Sequence, residues 1–257
     1  DLSCLGNPVL RTPNIDRFYK LSTRFTEFHV SPTCAPTRAS LLSGRHEFKN
    51  GVTHTIKERE IMALSTTTFP DVLSSAGYET GIFGKWHLGD EDAHQPYNRG
   101  FSEVFIHGAG GIGQKFPGSC ADFPPNLEDK YFENVFLHND TIVQTHGFCT
   151  DVFFKATLGW IREKQTQNEP FFAYITPNAP HGPMIAPERY SKRFSDIGYD
   201  KNTAGRYGMI ENIDDNFGIL MDKLDEWELW ENTLVIFMTD NGQAGANGTL
   251  NGKRVSH

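Results

Sequence analysis

Apolar residues recur at helical spacing in two stretches of the chain. In residues 151–165, Val152, Phe153, Ala156, Leu158, Trp160 and Ile161 precede a cluster of charges, the pattern of an amphipathic helix. In residues 207–227, Ile210, Ile213, Phe217, Leu220 and Leu224 stand three or four apart. Two other stretches, residues 171–175 (Phe-Phe-Ala-Tyr-Ile) and 234–238 (Leu-Val-Ile-Phe-Met), are apolar without a break. Their length and continuity predict strands buried on both faces. Residues 23–30, rich in β-branched and aromatic side chains, and the brief apolar run at 80–83 predict further strands. Thr12 before Pro13 predicts a helix start, residues 38–43 a helix that Gly44 ends, and residues 70–76 a short helix stopping at Gly77.

Strands separated by helices, with apolar strand cores, predict an α/β fold: a mostly parallel central sheet with helices on both faces. Ligands of such sheets sit beyond the carboxyl ends of the strands, and each polar motif discussed below follows a predicted strand. The chain shows neither an internal repeat nor a linker-like stretch, so residues 1–257 read as one domain. A hydrophobic content of 38% with 20 Phe excludes a disordered chain. A net charge of −8 without a Lys/Arg-rich block argues against a nucleic-acid partner. No apolar run approaches the roughly 18 residues of a membrane span. Four scattered cysteines do not make a disulfide framework, although Cys120 and Cys149 are able to pair. The sequons at Asn139 and Asn247 permit glycosylation in a secretory pathway, and such triplets also arise by chance.

Four segments carry candidate chemistry. The first, Ser31-Pro-Thr-Cys34-Ala-Pro36-Thr37-Arg38-Ala-Ser-Leu41-Leu42-Ser43-Gly44-Arg45, sets a cysteine between a predicted strand and a helix. The N–H groups of a helix N-terminus there favour an anion, and Arg38 and Arg45 add fixed positive charge. A half-buried structural cysteine would also fit. The second, Gly84-Lys85-Trp86-His87-Leu88-Gly89, places a cation and an imidazole two residues apart, on one side if the backbone is extended. In the third, Asn178-Ala-Pro180-His181-Gly-Pro183, prolines stiffen the backbone around a histidine. The fourth, Thr239-Asp240-Asn241-Gly242, offers two adjacent hard oxygen donors suited to Ca²⁺ or Mg²⁺, and is equally an ordinary turn.

Together these segments resemble the type I, formylglycine-dependent sulfatases of the arylsulfatase-like, alkaline-phosphatase-like superfamily. The match to Cys-x-Pro-x-Arg and a downstream Leu-x-Gly-Arg implies that Cys34 is oxidised to formylglycine, whose hydrate is the nucleophile. Gly84-Lys85-Trp86-His87-Leu88-Gly89 matches a second hallmark at all six positions. The resemblance implies that Lys85 holds sulfate oxygens, His87 contacts the nucleophile or the ester, and His181 protonates the leaving alcohol, while Arg38 helps to neutralise the sulfate. It also implies calcium, with magnesium as an alternative, held by Asp240, Asn241 and the modified Cys34. Lys253, in Leu250-Asn-Gly-Lys253-Arg254, resembles a later sulfate-bridging lysine more loosely, since Asn251 stands where the family usually has Arg, and Arg254 is an alternative counterpart.

The family's opening strand ends in an Asp-Asp pair that supplies two further calcium ligands. Asp1-Leu2-Ser3-Cys4-Leu5-Gly6 resembles a stretch beyond that pair, so the chain reads as an internal fragment of a sulfatase catalytic domain, itself expected to be inactive or unable to bind metal. The implied reaction is hydrolysis of a sulfate monoester, aryl or carbohydrate. The implied partners are a sulfated small molecule or glycan and the formylglycine-generating enzyme, in a periplasmic, secreted or lysosomal setting. Phosphate or phosphonate monoester hydrolysis within the same superfamily, and a non-catalytic sulfate- or glycan-binding protein, are the alternative readings.

Overall fold

In the computed structural model, which describes residues 1–56, 58–114 and 131–242, the sheet is built from residues 79–176. Its five strands are β1 (Glu79–Lys85), β2 (Glu103–His107), β3 (Val135–His138), β4 (Thr141–Gln144) and β5 (Phe171–Thr176), in the order β4-β3-β2-β1-β5. β1 is parallel to both β2 and β5, whereas β2–β3 and β3–β4 are antiparallel. The α/β class stands, and the sheet is mixed. Its parallel part carries the site.

Alternation along β1 explains how two helical layers attach to that part. Ile82 packs with Val104, Ile106 and Trp86 against Ala35, Ala39 and Leu42 of α2 (Cys34–Ser43), while Phe69 from α4 (Phe69–Ser75) joins the same cluster. A short α3 (Glu47–Asn50) lies between α2 and α4 in sequence. On the other face, Phe83 meets Trp160 of α5 (Cys149–Gln167), and Phe105 and Phe136 meet Phe153 of the same helix. Successive strand side chains point to opposite faces, so one apolar run serves both layers.

Residues 31–178 form one compact unit, and residues 1–30 with 179–257 form a second. In the second unit, α6 (Glu188–Asp196) and α7 (Lys201–Glu226) pack with Leu10 around Phe194, Ala204, Tyr207 and Ile210, while α1 (Pro13–Leu21) meets α7 through Phe18 and Phe217. Thr12 does precede α1, but its hydroxyl binds Asp16 and Ser3 instead of capping the helix. The cap comes from α7: Asp214 accepts the N–H groups of Asn14 and Ile15 and the Asn14 side-chain amide, at 3.2, 2.8 and 2.9 Å.

Three sequence expectations are corrected. Residues 23–30 form no strand, and Phe25 and Phe28 are exposed. Residues 234–238 form no strand and have no ladder partner among the described residues, with Leu234 86% exposed. An apolar run becomes a strand only where its N–H and C=O groups find a second strand. β5 is half-buried instead of buried on both faces, because among the described residues it pairs with β1 alone. Cys4, Cys34 and Cys149 carry free thiols, and Cys120 lies outside the described residues. Among the described residues no helix is long and apolar enough to cross a membrane.

Candidate active site

Cys34 is the first residue of α2, not the residue before it, and no strand leads into it. Thr33 is extended, and Pro36 sits in the first turn, where its missing N–H has no intrahelical bond to lose. Gly44, at φ 61°, ends the helix in the left-handed conformation. Cys34, Arg38 and four of the residues between and after them, Ala35, Pro36, Thr37 and Ala39, are buried. Such a helix is held by its surroundings.

Those surroundings are the carboxyl end of β1. The Lys85 carbonyl accepts a hydrogen bond from Arg38 Nη1 at 2.8 Å and another from Thr176 Oγ1 of β5 at 2.9 Å. Arg38 therefore spends one N–H on the backbone, with four further N–H donors in its guanidinium. Gly84 allows the approach of the two strands: at φ +122°, a Cβ there would stand 2.0 Å from the Thr176 carbonyl oxygen. Lys85 itself is 3% exposed and Arg38 5%.

Beyond Lys85 the chain does not stay extended. His87 has φ 62°, a left-handed conformation that a non-glycine residue adopts at a cost. The turn replaces the expected same-side placement of Lys85 and His87, and it brings His87 Nδ1 to 3.3 Å from Cys34 Sγ. His87 Nε2 lies 3.0 Å from the Thr55 carbonyl. A carbonyl only accepts, so Nε2 carries the proton and the neutral ring presents a bare Nδ1 to residue 34. Burial above all, then the positive charges of Lys85 and Arg38, hold the imidazole well below its usual pKa, against the opposing pull of the Thr55 bond. The field at this histidine is positive, as an anion-binding site requires.

Cys34, Arg38, Lys85 and His87 thus converge in one unit. His181, Asp240 and Asn241 belong to the other. His181 is half-buried between the Ala179-Pro180 and Gly182-Pro183 cis peptide bonds, and its Nδ1 donates to the Gly182 carbonyl at 2.7 Å. Asn241 donates its amide nitrogen to the Gly242 carbonyl at 2.8 Å, and Thr239 Oγ1 donates to the Asn241 carbonyl. Lys253 and Arg254 lie outside the described residues. Among the described residues no group of three or more His, Cys, Asp or Glu side chains could hold a metal ion. Asp240 and Asn241 have the hard oxygens that calcium takes, but two donors do not complete its six to eight ligands.

The motifs alone did not reveal the residues around His87. Thr55 acts through its main chain, which leaves no sequence signal. Thr176, the last residue of β5, binds through a side chain whose target depends on register. His107, 2% exposed, pairs in register with Lys85 at the carboxyl end of β2 and adds to the electrostatics of His87. The run Val104-Phe105-Ile106 before it was the available clue to a strand end.

In the parallel part of the mixed sheet, the carboxyl end of β1 gathers a helix-terminal cysteine, two buried cations and a histidine, and strand ends of this kind are where such sheets bind ligands. The family model described as Sulfatase matches residues 1–256. The chain belongs to the sulfatase family. It is 31% identical over 281 residues to N-acetylgalactosamine-6-sulfatase of Homo sapiens, covering 100% of this chain and 52% of the relative, and 29% identical to arylsulfatase G of Rattus norvegicus, covering 96% and 51%. The chain spans about half the length of the relatives it matches. Among solved structures, Ps i-CgsB in complex with k-i-k-neocarrahexaose aligns with a TM-score of 0.78 and 28% identity, covering 92% of this chain and 54% of that one. The structure of yidJ from Bacteroides fragilis, 19% identical with a TM-score of 0.71, shares the fold.

Proposed function

We propose that the protein hydrolyses sulfate monoesters, with a nucleophile derived from Cys34. The observation that carries this reading is the 3.3 Å approach of Cys34 Sγ to a bare His87 Nδ1 in a buried positive field. Sγ stands in for the hydroxyl oxygens of a formylglycine hydrate. That modification would supply an aldehyde whose hydrate bears the attacking oxygen.

The chain's own residues then have distinct tasks. Nδ1 of His87 is the atom to which residue 34 gives up a proton. Arg38 and Lys85 oppose the negative charge of the ester, charge that would otherwise repel an oxygen nucleophile, and burial of both leaves their field less screened by water. His181 is the proposed proton donor to the departing alcohol. Its Nδ1 proton is committed to Gly182, so donation to the alcohol falls to Nε2 in the imidazolium form. Lys253 is proposed as a further sulfate contact. Asp240 and Asn241 would contribute oxygen ligands to a calcium ion, together with residue 34, and the ion would lower the charge of the bound ester.

A sulfated carbohydrate is the proposed substrate class. The support is the sugar in the name N-acetylgalactosamine-6-sulfatase and the neocarrahexaose bound to Ps i-CgsB. Initial rates on matched aryl sulfate and aryl phosphate esters test the reaction class. The sulfate should be cleaved faster, and a preference for phosphate would replace this reading with phosphomonoester hydrolysis.

A further inference from the structure

His87 does its work only if its ring keeps one rotamer and one tautomer, and the structure shows what holds it. Gly110 packs directly on the imidazole: a Cβ at this position would stand 2.4 Å from Cε1, 2.6 Å from Nε2 and 3.0 Å from Nδ1. Gly110 is not among the glycines with positive φ, so its backbone does not demand glycine. The demand comes from the ring. The preceding residue, Ala109, is 1% exposed and does hold a left-handed φ of 55°, which a non-glycine residue adopts only when its surroundings impose it. Ala109 N donates at 2.8 Å to Oδ2 of Asp90, a carboxylate 6% exposed that lies three residues after His87.

We infer that Asp90, acting through the Ala109-Gly110 turn, and the Thr55 carbonyl form a two-sided clamp on His87, with Gly110 as the face against the ring. Asp90 fixes the turn, the turn fixes the plane of the imidazole, and Thr55 fixes the proton on Nε2. Nδ1 is thereby aimed at residue 34. Asp90, Gly110 and Thr55 are positioning residues in this scheme, since they act only through the orientation and tautomer of His87. The inference rests on the sulfatase reading for its kinetic consequence and is independent of it for its structural one.

The test combines nitrogen NMR of the His87 ring with kinetics on an aryl sulfate. In the unaltered protein, the two-bond correlations of His87 should show a protonated Nε2 and a bare Nδ1. Gly110→Ala should lower kcat by about 10²-fold, the size of the loss from an ångström-scale misplacement, and leave KM near its starting value. Asp90→Ala should lower kcat in the same manner, and Asp90→Asn, which keeps an oxygen acceptor for Ala109 N, should restore most of it. Full kcat in both Gly110→Ala and Asp90→Ala, or a proton found on Nδ1 in the unaltered protein, would overturn the clamp. If a complete enzyme cleaved no sulfate ester, the functional reading would fail, and the NMR assignment would still decide the clamp.

Discussion

Replacing Gly84 by alanine should uncouple the strand end that carries the site. The new methyl group would sit 2.0 Å from the Thr176 carbonyl oxygen, 2.6 Å from its carbon and 3.2 Å from Pro177 N, all backbone atoms that cannot swing aside as a side chain does. The residue would also have to hold φ +122°. Backbone strain of that kind costs about 1–3 kcal/mol, and overpacking adds about 1–3 kcal/mol. A total of roughly 2–6 kcal/mol is large against the roughly 5–15 kcal/mol of a whole domain. Gly77→Ala is the control, because Gly77 has a similarly positive φ of +87° with nothing within 4 Å of its would-be Cβ. In urea titrations followed by far-ultraviolet circular dichroism, Gly84→Ala should lose about 1–3 kcal/mol more than Gly77→Ala. Because Thr176 Oγ1 also grips the Lys85 carbonyl, the same variant should lose activity under conditions where it remains folded. Equal stabilities for the two variants would refute the close approach of β1 and β5 at Gly84.

Two further outcomes are expected. Lys85→Ala in a complete enzyme should lower turnover on an aryl sulfate by roughly 10²–10³, the loss typical of one preorganised charge-stabilising donor, and a near-normal rate would remove Lys85 from the site. Burial raises the carboxyl pKa of Asp214, against the pull of its bonds from Ile15 and Asn14. A folded-state pKa above the unfolded one gives stability that is full below the unfolded value and is lost as pH rises through the folded one. The stability of the unaltered protein relative to Asp214→Asn should therefore fall as pH rises above the ordinary carboxylate range, near about pH 4, and a difference independent of pH would contradict the assignment.

The helices were the most legible part of the chain. The three-and-four spacing of Ile210 to Leu224 lies within α7, and the pattern from Val152 to Ile161 within α5, because a buried helical face leaves a periodic trace. Strands were less legible. Residues 171–175 and 234–238 are equally apolar, yet only the first has a partner among the described residues, and pairing is a property of two segments at once. The β3–β4 hairpin escaped notice because its strands have four residues each, although Asn139-Asp140, with Asn139 at φ 55°, is a turn signal between them. For the candidate site, residue type, spacing and the family resemblance singled out Cys34, Arg38, Lys85 and His87. What they could not convey was the left-handed turn at His87, the carbonyl of Thr55 behind its ring, or the missing Cβ of Gly110, since each acts through backbone geometry.

The central claim is that Cys34 is the precursor of the nucleophile, and the mass of the tryptic peptide spanning residues 25–38 tests it most directly. The protein would be expressed in a host that carries the formylglycine-generating enzyme, beside a known sulfatase as a positive control. A peptide in which the Cys34 sulfur is replaced by oxygen with loss of two hydrogens is the predicted result. An unmodified thiol, with the control sulfatase converted in the same cells, would contradict the proposed nucleophile and favour a sulfate- or glycan-binding protein.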